Sequence, residues 1–205
     1  MTFSRAPRRR SHRRRALALA AVATAGASVL TACSSGGVSG GSGDTNFVTQ
    51  SGGISTVAEG DRQPAPELAG ETLDGKQLDV ASLKGKVVVL NVWGSWCAPC
   101  RAEAPYLTKV ANETKAQGVE FVGINTRDSA KGPAQEFEKD FQVPYPSLYD
   151  PIGKLILRFP KGSLNPQAIP STIVLDKDGR IAARALRALD DKGLHKMIDP
   201  LVAEK

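Results

Sequence analysis

Apolar residues are densest in the run Val87–Trp93, where six of the seven positions are apolar and most are β-branched. Such a nearly continuous run is typical of a central strand that is covered on both faces. A Gly-Ser turn follows it. From residue 99 to residue 117 the apolar positions recur at helical spacing, and Gly118 ends the pattern. The sequence therefore predicts a strand followed directly by a helix.

Apolar periodicity and turn residues mark the remaining elements. They predict a short hairpin at 73–78, strands at 119–125, 171–175 and 180–184, helices at 134–141 and 190–203, an extended piece at 144–146 and a mixed segment at 150–159. The order β-α-β-α-β-β-α predicts an α/β fold with a central sheet and helices on both faces. No repeat or second linker divides residues 61–205, so we expect one domain there.

The first 33 residues carry seven arginines, no acidic residue, and an apolar stretch at 16–32. This arrangement predicts a secretory signal. Residues 30–33 resemble a bacterial lipobox, in which the cysteine, here Cys33, is lipidated and anchors the mature protein in the membrane. The alternative is an uncleaved transmembrane anchor with an incidental cysteine. Both place the rest of the chain outside the cytoplasm, and the export route, Sec or Tat, stays open.

The net charge of +6 belongs to that N-terminal segment, because 20 basic and 21 acidic residues follow Cys33. The rest of the chain is nearly neutral, so no nucleic-acid partner is expected. Residues 34–60 are rich in Gly and Ser and poor in large apolar side chains. They predict a flexible tether between the lipid anchor and the domain at 61–205.

A Cys-x-x-Cys pair, Cys97 and Cys100, opens the helix that follows the central strand. Unpaired backbone N–H groups and the helix dipole favour negative charge at such a position. We therefore expect Cys97 to be the partly exposed thiolate that acts as nucleophile. Cys100 lies one helical turn deeper and would resolve the mixed disulfide formed at Cys97.

Other uses of a cysteine pair fit the sequence less well. A zinc site needs about four ligands, but the other candidates are Cys33, His195 and, in the signal, His12. Covalent haem attachment needs histidine after the second cysteine, where Arg101 stands. A purely structural disulfide closing so short a loop would add little stability. Copper(I) binding by two thiolates stays chemically possible.

Residues 91–105, Asn-Val-Trp-Gly-Ser-Trp-Cys-Ala-Pro-Cys-Arg-Ala-Glu-Ala-Pro, resemble the active-site run of TlpA/ResA-like proteins, a branch of the thioredoxin superfamily. The resemblance extends more loosely over residues 61–205 and includes Ile-Pro-Ser-Thr at 169–172. It implies a thioredoxin fold, with a central mixed β-sheet flanked by helices. The Asp-Gly turn at 74–75 adds an N-terminal hairpin extension, and the resemblance implies a βα insertion ahead of residue 170.

The resemblance also implies a substrate-binding surface. Pro170 matches the family's cis-proline, which lies beside the cysteines and, with Ile169, leaves backbone groups free to pair with an extended substrate. Trp96 matches an aromatic residue around the site. The alternatives are a trans proline that starts a strand and a tryptophan that only packs in the core.

Proton transfer at the second cysteine is assigned by the same resemblance. Thioredoxins carry an aspartate six residues before the first cysteine, where this chain has Asn91, and an amide cannot exchange a proton. In ResA-like members a glutamate three residues after the second cysteine is implicated instead. Glu103 occupies that position, one helical turn from Cys100. Alternatively, Glu103 only complements the dipole at the start of the helix.

The function implied by the resemblance is reduction of extracytoplasmic protein disulfides without a cofactor or metal. A membrane thiol carrier would supply electrons, and apocytochrome c is a possible partner because family members often serve cytochrome c maturation. Ala98-Pro99 between the cysteines favours a reducing centre by analogy. The alternatives are an oxidase that introduces disulfides and a non-enzymatic copper or assembly chaperone. A peroxidase is less consistent, because Gly94 stands where peroxiredoxins need threonine.

Overall fold

The computed structural model describes residues 45–204, so the predicted signal and Cys33 lie outside the described residues. The strands are β1 (Val48–Thr49), β2 (Ile54–Thr56), β3 (Ala69–Glu71), β4 (Gln77–Asp79), β5 (Val87–Trp93), β6 (Val119–Thr126), β7 (Ser147–Asp150), β8 (Ser171–Leu175) and β9 (Ile181–Ala185). The α-helices are α1 (Ala98–Thr114), α2 (Lys131–Asp140) and α3 (Asp191–Ala203). In the described range, none of the helices has the length and apolar character needed to cross a membrane.

Seven strands form one mixed sheet in the order β1-β2-β9-β8-β5-β6-β7. β5 lies inside it, parallel to β6 and antiparallel to β8. The path β5-α1-β6-α2-β7-β8-β9-α3 follows the predicted element order with one additional strand, β7. A central mixed sheet with flanking helices is therefore confirmed.

The side chains of β5 alternate between two apolar cores. Val87 and Val89 belong to the core that α1 and α3 cover. Val88, Leu90 and Val92 belong to the core on the opposite face. Because both faces are covered, no residue of β5 is exposed, which explains the almost uninterrupted apolar run.

The second face of the sheet differs from the prediction that helices cover both faces. Its core contains no residue of the three α-helices. Leu68, Val80 and Phe159, together with the 3-10 turn Ile156–Arg158, cover this face instead. Short turns can bury individual side chains without a regular apolar stripe, so helical periodicity did not indicate them.

The predicted N-terminal hairpin and insertion are both present. β3 and β4 pair antiparallel, and Gly75 in their turn has a φ of 85°, a conformation that glycine adopts readily. Between β6 and β8 the chain forms α2 and then β7, which pairs parallel to β6 at the sheet edge. The strand β7 follows the extended piece predicted at 144–146.

The prediction of a flexible tether reaching residue 60 is wrong for its described part. β2 pairs antiparallel with β9, and β1 pairs with β2, so this segment adds two strands to the sheet. Phe47, Ile54 and Val57 are buried, with at most 6% of their surface exposed. These three apolar residues are scattered among glycine and serine, so composition suggested a linker. In the fold, Ile54 and Val57 lie beside β9, and Phe47 is buried in the core on the second face of the sheet.

A buried arginine connects the segment before β3 to the C-terminal end of the described chain. Arg62, 7% exposed, donates from Nη1 to Asp176 Oδ2 at 3.0 Å and from Nη2 to Glu204 Oε1 at 2.6 Å. Its Nε also donates to the carbonyl of Val57. The segment that leads into β3 is therefore held to the turn after β8 and to the end of α3.

Candidate active site

Cys97 and Cys100 form a disulfide at the start of α1, with their Cα atoms 5.2 Å apart. Cys97 is the N-cap residue, and its Sγ accepts a hydrogen bond from the backbone N–H of Cys100 at 3.2 Å. A backbone donor of the first helical turn therefore points at the sulfur, as the helix position predicts. The expected partial exposure of Cys97 is absent in this oxidised state, because only 4% of the residue is exposed.

An apolar cluster surrounds the disulfide. Both cysteines pack with Trp93, Ala104 and Phe137. Trp93 is 3% exposed, stacks on Phe137 with ring centroids 4.3 Å apart, and donates from Nε1 to Ser147 Oγ at 3.3 Å. Of the two tryptophans near the site, Trp93 thus has the core-packing role.

The loop before Cys97 is held by an aspartate that the sequence reasoning missed. Asp128 accepts hydrogen bonds from the backbone N–H of Ser95 at 2.9 Å, from the Ser95 hydroxyl at 2.5 Å and from Asn125 Nδ2 at 2.7 Å. It is 5% exposed. A sequence signal for this contact was available. Asp128 lies two residues after the end of β6, and the carboxyl ends of the adjacent parallel strands β5 and β6 meet at one edge of the sheet.

Trp96 lies on the surface, with 53% of its area exposed. The guanidinium carbon of Arg127 lies 4.9 Å from the centroid of its ring, within the range of a cation–π contact. Gly94 leaves room for the indole, because a Cβ there would lie 2.9 Å from Trp96 Nε1 and 3.1 Å from the Thr126 carbonyl oxygen. The alternative of core packing for Trp96 is excluded by its exposure.

The Ile169–Pro170 peptide bond is cis, as the resemblance implied, and it directly precedes β8. Ile169 is partly buried and packs against the cluster that contains Cys97 and Cys100. The fold therefore places the cis-proline segment next to the disulfide, although the two are far apart in sequence.

Glu103 is almost completely buried on α1, at 1% exposure. Its Oε2 accepts a hydrogen bond from Asn91 Nδ2 at 3.1 Å, and its Oε1 accepts one from the backbone N–H of Leu189 at 2.8 Å. Burial raises its pKa to about 7, although these two hydrogen bonds and the charge of Arg187 act in the opposite direction. A surface role at the helix dipole is excluded, because Glu103 is buried and outside the first turn.

A pKa near 7 allows Glu103 to exchange a proton at neutral pH. The site thus joins a cysteine pair at a helix start, a buried carboxyl on the same helix and a cis-proline segment. Within residues 45–204, no group of three or more His, Cys, Asp or Glu side chains is placed to hold a metal ion.

A thioredoxin-type sheet that delivers a redox-active cysteine pair to the start of a helix, beside a cis-proline segment, defines a thiol–disulfide oxidoreductase. Comparison with known proteins agrees. The chain belongs to the Redoxin family, which matches residues 58–198, and it is a TlpA/ResA-like member. The predicted family, fold class and enzyme class are confirmed.

Three relatives illustrate the similarity. Thiol-disulfide oxidoreductase ResA of Bacillus cereus is 32% identical over 122 residues, which are 60% of this chain and 67% of the relative. Thiol:disulfide interchange protein HelX of Rhodobacter capsulatus is 34% identical over 149 residues, 72% of this chain and 79% of the relative. The crystal structure of a secreted thiol-disulfide isomerase from Corynebacterium glutamicum superposes with a TM-score of 0.70 and 38% identity, covering 76% of this chain and 95% of that one.

Proposed function

We propose that this oxidoreductase reduces protein disulfides outside the cytoplasm, with oxidised apocytochrome c as a candidate substrate. The observation that supports exchange chemistry at this pair is the buried Glu103, whose pKa is about 7 and which follows Cys100 by one helical turn; the reducing direction is taken from the TlpA/ResA resemblance. A reductase must convert the Cys100 thiol into a thiolate in every cycle. A carboxyl that is close to half ionised at neutral pH suits that proton transfer.

The reaction proceeds by two thiol–disulfide exchanges. The Cys97 thiolate attacks one sulfur of the substrate disulfide, that S–S bond breaks, and the other substrate sulfur leaves as a thiolate. Cys100 then transfers its proton to Glu103 and attacks the Cys97 sulfur of the mixed disulfide. The second substrate sulfur leaves and takes up a proton, the Cys97–Cys100 disulfide forms, and the substrate has gained two electrons.

The substrate would lie against Trp96, Ile169 and Pro170. An extended segment can pair with free backbone groups at the cis-proline, a form of β-strand addition. Trp96 offers an exposed aromatic surface next to Cys97. A membrane thiol carrier would use the same surface to return the disulfide to the dithiol.

The location follows from the N-terminal sequence, with a signal at 1–33 and lipidation at Cys33 as its anchor. The similarity to a secreted isomerase supports a place outside the cytoplasm. Replacing Cys33 by Ala should abolish incorporation of a labelled fatty acid and release the protein from the membrane fraction. Unchanged labelling would contradict lipidation at this residue.

The activity can be tested with the reduced full chain and an oxidised Cys-x-x-Cys-His peptide. The wild type should reduce the peptide much faster than a free dithiol does. Cys97→Ser should abolish the reaction, and Cys100→Ser should stop it at a stable mixed disulfide. A rate no faster than that of the free dithiol would refute the proposal, and faster oxidation of the reduced peptide by the disulfide form would favour an oxidase.

A further inference from the structure

Arg127 is an exposed cation that has no counter-ion among residues 45–204 and lies on the residue preceding Cys97. Its guanidinium lies over the ring of Trp96, the residue that precedes Cys97. Among the described residues 45–204, its guanidinium takes part in no hydrogen bond or ion pair, and it stacks on Trp96. Its N–H donors, which form a planar fork suited to carboxylates, therefore face solvent.

The nearest acid in sequence does not neutralise Arg127. Asp128 turns inward, and its two oxygens are occupied by Ser95 and Asn125. Arg127 itself has a φ of 60°, in the left-handed region that non-glycine residues seldom occupy. With this backbone conformation, the two neighbouring side chains point in different directions. Asp128 points into the protein, and Arg127 lies on Trp96.

Two other cations near the site, Arg101 and Lys131, have partners. Arg101 lies over Phe137 and Phe141 and within 3.9 Å of Asp140 Oδ2. Lys131 pairs with Glu71 Oε1 at 2.7 Å. Arg127 is thus a cation whose charge and donors are available to a molecule that approaches Cys97.

We infer that Arg127, supported by Trp96, is a specificity-determining residue that binds a carboxylate of the substrate next to its reactive cysteine. The preferred partner is a protein segment with Asp or Glu beside that cysteine, because Arg127 lies on Trp96, the residue that precedes Cys97. This inference rests on the proposed reductase function. It adds to that function a preference for acidic substrate segments, based on charge complementarity at the edge of the active site.

The inference can be tested with three oxidised peptides that differ only at the residue before the first cysteine, which is Glu, Gln or Lys. The reduced full chain should give the highest kcat/KM with Glu and the lowest with Lys. An exposed charge pair corresponds to a preference of about two- to fivefold. Because exposed pairs are screened by salt, the preference should shrink at high ionic strength.

Variants separate this role from a structural one. Arg127→Gln should remove the preference, and Arg127→Glu should invert it in favour of the Lys peptide, which an unfolded protein could not do. Lys115→Gln is the matched control, because it removes one exposed positive charge at the opposite end of α1. It should keep the wild-type preference.

The possible failures are distinguishable. Equal rates on the three peptides, or a preference for Glu that survives Arg127→Glu, would overturn the inference and leave the reductase function intact. If the wild type reduces none of the peptides faster than a free dithiol, the proposed function fails and the inference fails with it.

Discussion

Oε1 of Glu103 accepts a 2.8 Å hydrogen bond from the backbone N–H of Leu189. The bond ties the middle of the active-site helix to the residue that precedes the N-cap of α3. Glu103 is therefore both a structural acceptor and an ionisable group, and its other oxygen is bound by Asn91. The two roles lead to separate predictions.

Glu103→Gln should change the pH dependence of stability in the oxidised protein. The folded-state pKa is raised from 4.5 to about 7, so the folded protein holds this proton more tightly than the unfolded chain does. The resulting stabilisation is complete below about pH 4.5 and is lost as the pH rises through about 7, by about 3 kcal/mol. Gln does not ionise, so the variant does not lose this stabilisation. Its free energy of unfolding, relative to that of the wild type, should therefore rise by about 3 kcal/mol between about pH 4.5 and 7.

Urea unfolding across this pH range measures the difference. Glu136→Gln is a suitable control, because Glu136 is exposed on α2. Its stability should follow that of the wild type at every pH. Parallel curves for wild type and Glu103→Gln would show that Glu103 does not titrate as its burial indicates.

The same substitution should slow one of the two chemical steps. If Glu103 accepts the proton of Cys100, Glu103→Gln should lower the rate of the second exchange by at least about tenfold near neutral pH. The first exchange, attack by Cys97, should change little. Single-turnover kinetics measure the complete cycle, and the Cys100→Ser background isolates the first step. An equal loss in both would indicate a general structural effect.

Asp128→Ala should destabilise the loop that precedes Cys97. The substitution leaves the Ser95 N–H and the Asn125 amide without their buried acceptor. Unsatisfied buried donors cost about 1–3 kcal/mol each, so we expect a loss of about 3 kcal/mol in the free energy of unfolding. Ser129→Ala, at the exposed neighbouring position, is the control. Equal stability of the two variants would contradict the proposed bracing by Asp128.

Ile54→Ala tests whether the segment before residue 61 belongs to the domain. Ile54 is 2% exposed and packs in the core beneath α1 and α3. Truncation of such a side chain costs about 2–5 kcal/mol. Val48→Ala in the neighbouring strand is the matched control, because Val48 is 54% exposed. Denaturant unfolding should separate the two variants clearly, whereas a flexible tether would leave both near wild type.

Short-range sequence patterns predicted most of the fold and the cysteine pair at the centre of the site. The continuous apolar run of β5, the helical spacing after it and the turn at Gly179 are short-range patterns, and each element formed close to its expected place. Cys97 and Cys100 were found because their spacing and their position before a helix have direct chemical meaning. The resemblance added the cis peptide at Pro170, which periodicity alone does not indicate.

The tertiary structure determines which residues pack against each buried face of a strand or helix. Apolar periodicity shows that a side chain is buried but not by which partner, so the sequence does not indicate that β2 pairs with β9 and β1 with β2. The bonds of Asp128 to Ser95 and of Glu103 to Leu189 join residues 33 and 86 positions apart. Only the folded chain brings such distant groups together, and only burial, which is a property of the whole packing, raises the pKa of Glu103 to about 7.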